Sequence, residues 1–342
     1  DTPAHDVRIA VQELATRAWD YRRSEARPLH HYFIRRMRTC PWRKAFADSS
    51  GKSLRRLPAL ISSIAIARAL GPLWSNEKNV GILMPPTMGG ALANIATAMA
   101  GKVSVNLNFT AGKAGMTSAL NQAGIKSIIT SRIFIEKATI ELPEDAKIIY
   151  LEDLLPTIGF FTKILAAFAA LCLPISLIEK LCGAVSRPGV EETATIIFSS
   201  GSTGEPKGVM LSHYNVAANV EAVGQAITVN DSDKLLGILP LFHSFGYMSL
   251  WYAIRFGMGV VFHPNPLDAG RIGEVVENEA VTFLIATPTF LQIYMRRCSP
   301  GQFGSLRIVF TGAEKLTEKL AVAFEEKFGI KPIEGYGATR SE

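Results

Sequence analysis

With 342 residues, 48% of them hydrophobic and 19% charged, the chain has room for about two domains and a large buried core, which excludes a mini-protein and a wholly disordered segment. Its four cysteines, Cys40, Cys172, Cys182 and Cys298, stand far apart with no C-x-x-C pair, so neither a zinc cage nor a disulfide framework is written into it and reduced thiols are expected. The formal charge of +6 is an N-terminal property, because residues 1 to 60 carry a net +7 and the remainder a net −1.

The chain begins with Asp1 and no signal peptide precedes it, so we expect a piece of a longer protein. Residues 7 to 21 read as one amphipathic helix. Arg35, Arg36, Arg38, Arg43 and Lys44, followed by Lys52, Arg55 and Arg56, are expected either to meet anionic lipid or an acidic partner, or to form a solvated face. No zinc-finger spacing or RNP-like aromatic run accompanies them, which argues against nucleic acid.

From Val80 onward, short branched runs alternate with helical stretches, the pattern of β-α units around a mostly parallel sheet and hence an α/β fold. Strands are expected at Val80–Met84, Val103–Asn106, Ser127–Thr130 and Lys147–Tyr150, with helices near Met88–Ala100 and Lys113–Ala123. Strands follow near Ala194–Ser199, Leu235–Leu239, Val260–His263, Thr282–Ile285, Leu306–Phe310 and Lys331–Glu334. Helices near Tyr214–Ala226, Phe245–Phe256, Asp268–Glu279 and Glu318–Phe328 fill the intervals. The expected organisation is a linker or the end of an upstream module over 1–27, a first α/β lobe over 28–190 and a second over 191–342. Between the lobes, Ile158 to Ile178 contains a single charge, Lys163, and fits a spanning helix, an interfacial hairpin or a buried helix pair.

The most informative stretch runs from Ile196 to Val209. A strand enters a loop containing Ser199, Ser200, Gly201, Ser202, Thr203, Gly204 and Lys207 and returns to apolar residues. Glycines let backbone N–H groups approach an anion, hydroxyls add donors and the lysine adds charge, so polyphosphate is the natural guest. The spacing fails as a Walker A loop: Gly201 and Gly204 are too close, and Gly208 stands where Ser or Thr would hold Mg²⁺.

This loop resembles the phosphate loop of the adenylate-forming superfamily of acyl-CoA synthetases, luciferases and peptide-synthetase adenylation domains. Three further stretches resemble that superfamily in the same order: Pro240-Leu241-Phe242-His243-Ser244-Phe245-Gly246, Thr311-Gly312-Ala313-Glu314-Lys315-Leu316 and Glu334-Gly335-Tyr336-Gly337-Ala338-Thr339. The first half, with Val80–Pro86 and residues 105–112, is similar to the synthetase part of bacterial bifunctional acyl-[acyl-carrier-protein] synthetase/2-acylglycerophosphoethanolamine acyltransferases.

The resemblance implies the large N-terminal domain of an adenylate-forming enzyme, with the small C-terminal domain lying beyond residue 342. It implies ATP-dependent activation of a fatty acid through an acyl-adenylate, with Mg²⁺, and transfer to acyl carrier protein or coenzyme A for phospholipid reacylation at the cytoplasmic face of a bacterial inner membrane. It further implies that Ser199, Ser200, Gly201, Ser202, Thr203, Gly204 and Lys207 hold phosphates, and that Gly312, Ala313 and Glu314 frame adenine with Tyr336 and Gly337. His243 would border the carboxylate and Thr339 would reach the α-phosphate. Where the family places a metal-binding glutamate directly after that threonine, this chain has Arg340, so either Glu342 substitutes as the Mg²⁺ ligand or metal binding at this point is lost. The contrasting expectation is a non-catalytic nucleotide- or acyl-binding domain serving as a membrane platform. His213 is expected to open a helix capped by Ser212.

Overall fold

Branched runs separated by helices build two sheets that draw on the chain unevenly. The computed structural model describes residues 4–74, 77–199 and 206–337. Its strands are β1 (Lys44–Asp48), β2 (Ser53–Arg55), β3 (Asn79–Leu83), β4 (Val103–Asn106), β5 (Ser127–Thr130), β6 (Lys147–Tyr150), β7 (Thr193–Ser199), β8 (Lys207–Ser212), β9 (Lys234–Gly237), β10 (Gly259–Phe262), β11 (Phe283–Ala286), β12 (Ile308–Thr311) and β13 (Ile333–Glu334). One sheet has the order β6-β5-β3-β4-β7-β8 and the other β13-β12-β11-β9-β10-β1-β2. Every neighbouring pair is parallel except the hairpins β1–β2 and β7–β8.

The α/β class is as expected, and so is a strand at each position anticipated from residue 80 on. The sheets nevertheless do not divide the chain near residue 190. Strands β7 and β8 complete the sheet of the first half, while β1 and β2 join the sheet formed by residues 234–334.

The helices are α1 (Ala4–Glu25), α2 (Leu29–Arg38), α3 (Arg56–Leu70), α4 (Met88–Met99), α5 (Gly112–Ala123), α6 (Arg132–Ala138), α7 (Leu151–Thr157), α8 (Phe160–Cys172), α9 (Ile175–Leu181), α10 (His213–Ala226), α11 (Ser244–Phe256), α12 (Ala269–Glu279), α13 (Pro288–Arg297) and α14 (Glu318–Phe328). The largest core cluster joins α2, α3, α4 and α11 to both sheets, with Phe33, Ile64, Ile82, Ile95, Trp251 and Val260 buried together. Tyr247 ties the sheets directly, since its hydroxyl lies 3.2 Å from Ser104 Oγ on β4 while its helix packs beneath β9 and β10. A second cluster, including Leu284, Tyr294, Phe303 and Phe324, covers the other face of the larger sheet. As expected, α10 opens at His213, where Ser212 and Asn215 form a reciprocal capping box.

The N-terminal cations are largely committed within the protein rather than presented to lipid. Buried Arg56 donates to the carbonyls of Thr39 at 2.7 Å and Gly257 at 2.6 Å. Its guanidinium, with those of Arg36 and Arg43, also gathers around Asp231. Arg38 donates to the carbonyls of Ala169, Ala170 and Leu173, closing the C-terminal end of α8, where unpaired carbonyls attract a cation. Lys44 pairs with Glu279 at 2.7 Å, and Arg35, Lys52 and Arg55 remain exposed. A charge run cannot announce partners that lie mostly more than a hundred residues away, which is why these cations look like a surface feature in sequence.

The apolar segment breaks before Phe160 and at Pro174. Helices α7 and α8 meet at 88°, and the 13 residues of α8 reach only about 20 Å, short of the ~30 Å of a hydrocarbon core. Among the described residues one helical stretch, Arg56–Leu73, is long and apolar enough to cross a membrane, and half of it is buried inside the protein. One edge of α8, Ala166, Ala169 and Ala170, is fully buried, and the helix packs against α3. Its opposite edge leaves Phe160, Phe161, Ile164, Phe168 and Leu171 exposed.

At the amino end of β9, buried Asp233 accepts from Asn230 N and Thr282 Oγ1, both at 2.8 Å, and pairs with Arg307 at 2.5 Å. Burial alone would raise its pKa, but Arg307 and the two donors outweigh burial and hold it below the usual carboxylate value. A depressed folded pKa means that the stabilisation is present above the unfolded value near ~3.9 and is lost as pH falls through the folded value. Asp233→Asn is therefore expected to be less stable than wild type at pH 7, with the gap narrowing once the pH drops below about 4. Urea midpoints across that range check this, and a gap independent of pH would refute it.

Candidate functional site

The motifs singled out in the second half occupy the carboxyl ends of parallel strands, the edge at which open α/β sheets bind ligands. After β9 the chain doubles back through Pro240–Gly246 into α11. The His243 N–H donates to the Pro240 carbonyl at 3.2 Å, and a Cβ on Gly246 would lie 2.1 Å from that same oxygen, so the turn closes only around glycine. His243 is the residue immediately before α11, in extended conformation with φ −97° and ψ 141°.

The His243 ring is exposed yet lies 4.5 Å, centroid to centroid, from buried Phe242. Phe242 in turn meets Phe109, just beyond β4, edge-to-face at 5.0 Å. The turn bearing His243 therefore stands where the carboxyl ends of the two sheets meet. Desolvation by the neighbouring protein lowers the His243 pKa from its ordinary 6.5, which favours the neutral imidazole. It is suited to orient an ionised carboxylate by hydrogen bonding, whereas a carboxylate substrate offers no proton to remove.

The turn after β12 lies against this one. A Cβ on Gly312 would come within 3.1 Å of the Phe245 ring and 3.4 Å of the Gly335 carbonyl. Ala313 has φ +67°, the left-handed conformation that side chains disfavour. The Glu314 carboxylate accepts from Thr289 N at 3.1 Å and Thr289 Oγ1 at 2.6 Å, fastening the turn to the first turn of α13. Glu314 thus positions the turn, and its carboxylate is already engaged.

Following β13, Gly335 N donates to the Thr311 carbonyl at 2.8 Å and a Cβ on Gly335 would fall 2.1 Å from the Phe310 ring. Phe310 and Phe245 pack edge-to-face at 6.0 Å. The structure thereby brings His243, Phe245, Gly312 and Gly335 together at one edge of the larger sheet. Tyr336, 98% exposed, and the exposed Gly337 project from it. A tyrosine with a free aromatic face fits an adenine, which stacks on such a surface.

Ser199 and Lys207 belong to the smaller sheet, where they face each other across the β7–β8 hairpin and Ser199 Oγ donates to the Lys207 carbonyl at 3.5 Å. Lys207 is exposed, and Gln122 of α5 donates to the Pro206 carbonyl at 2.9 Å, holding the hairpin against the preceding layer. An exposed lysine at the mouth of a glycine-rich hairpin suits the phosphates of ATP. The loop residues Ser200, Gly201, Ser202, Thr203 and Gly204 lie outside the described residues, as do Thr339, Arg340 and Glu342, the residue assigned to Mg²⁺.

Three contributors escaped the sequence reading: Phe109, Thr289 and Phe310 complete the contacts above. Thr289 had a local signal, because Thr287-Pro288 is the cap and first position of a helix, and Thr287 Oγ1 does accept from Phe290 N at 3.3 Å. The roles of Phe109 and Phe310 come from strand neighbours distant in sequence.

A family model described as AMP-binding enzyme matches residues 65–340. The chain is 33% identical over 156 residues to a probable 4-coumarate--CoA ligase 3 of Dictyostelium discoideum, and 29% identical over 157 residues to a long-chain-fatty-acid--CoA ligase of Bacillus subtilis. Each alignment takes in 44% of this chain and 28% of the relative, so the aligned part is little more than a quarter of either curated relative. Among solved structures, the N-terminal subdomain of Klebsiella oxytoca NpsA in complex with 3-hydroxybenzoyl-AMSN superposes with a TM-score of 0.74 at 17% identity, over 92% of this chain and 73% of that one. The AMPPNP-bound form of the nonribosomal peptide synthetase FmoA3 superposes with a TM-score of 0.75 at 20% identity, over 92% and 32%. At these identities the superpositions establish the shared fold.

Proposed function

Because the chain belongs to the AMP-binding enzyme family, we propose that it activates a fatty acid with ATP, in an acid-thiol ligase of the AMP-forming class. The observation that carries the reading is the meeting of the His243 turn with the Gly312 and Gly335 turns at one carboxyl edge. In the proposed reaction a carboxylate oxygen attacks the α-phosphorus of ATP, the bond to the β-phosphate bridging oxygen breaks, and pyrophosphate leaves behind an acyl-adenylate. Lys207 supports charge on the phosphates, Tyr336 stacks on adenine and His243 orients the carboxylate. Positioning and charge neutralisation account for most of the rate gain in such a step.

The finer reading adds transfer of the acyl group to the phosphopantetheine thiol of acyl carrier protein, or to coenzyme A, for phospholipid reacylation. The resemblance of Val80–Pro86 and residues 105–112 to acyl-carrier-protein synthetases supports that acceptor. Fatty-acid-dependent exchange of pyrophosphate into ATP tests the first step. Lys207→Ala is expected to weaken ATP at least about tenfold, the worth of one charge-assisted hydrogen bond. No exchange with any saturated fatty acid, from short to long, would refute the substrate assignment, and unchanged ATP dependence in Lys207→Ala would refute the role of the lysine.

The proposal includes contact with the cytoplasmic face of a bacterial inner membrane. In support, residues 158–190, which include the exposed edge of α8, carry the cations Lys163, Lys180 and Arg187, all exposed, while their single acid, Glu179, is buried. Binding to anionic vesicles is expected to fall with salt and to fall further when Phe160 and Phe161 are both changed to Ser. Equal binding to neutral and anionic vesicles would overturn the electrostatic part.

A further inference from the structure

We propose that His30, His31 and Glu179 form a site for one divalent transition-metal ion of the zinc class, joining the start of α2 to α9. The two histidines open α2, and Glu179 lies 148 positions beyond His31, within the helical hairpin formed by the apolar segment. All three side chains are buried, with exposures of 0%, 2% and 2%. The Nε2 atoms of His30 and His31 converge on the same carboxylate oxygen, Glu179 Oε1, at 2.7 and 2.6 Å. All three donor atoms fall within 4.8 Å of one another.

A second observation points to a ligand. Glu179 Oε2 is buried with no hydrogen-bond partner, while Oε1 is served twice. One buried carboxylate oxygen left unpaired is an expensive arrangement, and a cation engaging both oxygens removes the imbalance. Two imidazole nitrogens and a carboxylate engaged through both oxygens are a four-donor set suited to zinc or cobalt(II). Mg²⁺ and Ca²⁺ instead ask for six or more oxygens, which two carboxylate oxygens cannot supply. Tetrahedral zinc with bonds of about 2.0–2.1 Å sets its donors about 3.3 Å apart. Placing the ion between them thus requires each Nε2 to draw back from Glu179 Oε1 by less than 1 Å.

The local backbone already serves the site. The Leu29 N–H, immediately before His30, donates to His213 Nδ1 at 3.2 Å, and the His213 and His30 rings meet edge-on at 5.9 Å. His213 therefore fixes the first turn of α2 without spending a nitrogen on the proposed ion. The chemistry lies apart from the strand edge that bears His243 and uses no residue assigned to ATP.

The test takes the purified full chain, stripped with chelator and dialysed, and titrates it with zinc and with cobalt(II). One equivalent of bound zinc by mass spectrometry, a tetrahedral cobalt absorption that saturates at one equivalent, and a thermal midpoint raised by zinc and lowered by EDTA are expected. Glu179→Gln, which keeps the side chain's size, and His31→Gln are each expected to weaken binding at least about tenfold, with His243→Ala unchanged. The midpoint shift and stoichiometry of the wild-type chain stand even where a variant fails to fold. Less than a tenth of an equivalent of zinc bound at micromolar concentration, with an unmoved midpoint, would overturn the site in favour of a proton-shared His–Glu–His cluster. Zinc retained equally by folded Glu179→Gln and His31→Gln would place the ion elsewhere and overturn it as well.

Discussion

Gly246→Val is expected to destabilise the protein by about 3–5 kcal/mol and to abolish pyrophosphate exchange in whatever fraction folds. The obstacle is backbone rather than a movable side chain: a Cβ would sit 2.1 Å from Pro240 O and 2.8 Å from Pro240 C, with Leu239 O at 3.0 Å. Relief requires the Pro240–Gly246 turn to open, which displaces His243 and the first turn of α11 together. The same helix carries Tyr247 and Trp251 into the main core, so displacement is resisted by packing on both sheets. Urea unfolding followed by circular dichroism measures the cost, with Gly246→Ala expected to fall between wild type and valine. A loss below about 1 kcal/mol for the valine variant would show that the turn relaxes cheaply.

Arg56→Ala carries the second large expected effect, a loss of about 3–5 kcal/mol, the worth of two hydrogen bonds from a charged donor. Arg56 is 1% exposed and joins the Thr39 carbonyl before β1 to the Gly257 carbonyl before β10. Asp231, at 3.5 Å and one-third exposed, adds less than these carbonyls do. Removing the guanidinium leaves two acceptors without their donor at the junction of the N-terminal hairpin with the larger sheet. Arg56→Lys keeps the charge but loses the fork that reaches two carbonyls at once, and is expected to recover less than half of the loss. Equal stability of the alanine variant and wild type would rule the clamp out.

What could be read in sequence followed from how local the determining interactions are. The parallel strands were legible because they are buried on both faces, as Val103–Asn106 and Ser127–Thr130 show, and such strands write continuous runs of branched or small residues. Strands β1 and β2 were not, since β2 has three residues with an exposed–intermediate–exposed pattern and β1 starts on the charged residue Lys44. Strand β8 escaped because it follows the phosphate loop directly and has no buried residue, so Lys207-Gly208 reads as more of the loop. At the strand edge, Gly246, Gly312 and Gly335 sit inside recognisable motifs. Phe109 and Phe310, which meet the motif rings, had no signal beyond being aromatic. His30 and His31 carried no message until Glu179 was placed beside them, because no local pattern encodes a partner so distant in the chain.

The pairing of β1 with β10 has a temporal consequence. Phe46 aligns with Val260 and Asp48 with Phe262, so the strand made early stays without its parallel neighbour until more than two hundred further residues have been synthesised. At about 5–20 residues per second this wait lasts on the order of 10–40 s, during which the edge of an apolar hairpin, Ala45, Phe46 and Ala47, is open to other chains. The smaller sheet faces a shorter delay, because its parallel strands run from β3 to β7 without the later part of the chain. A ribosome-bound intermediate whose residues up to about 215 have emerged is thus equipped to assemble one sheet while the hairpin that opens the other is still without its parallel neighbour.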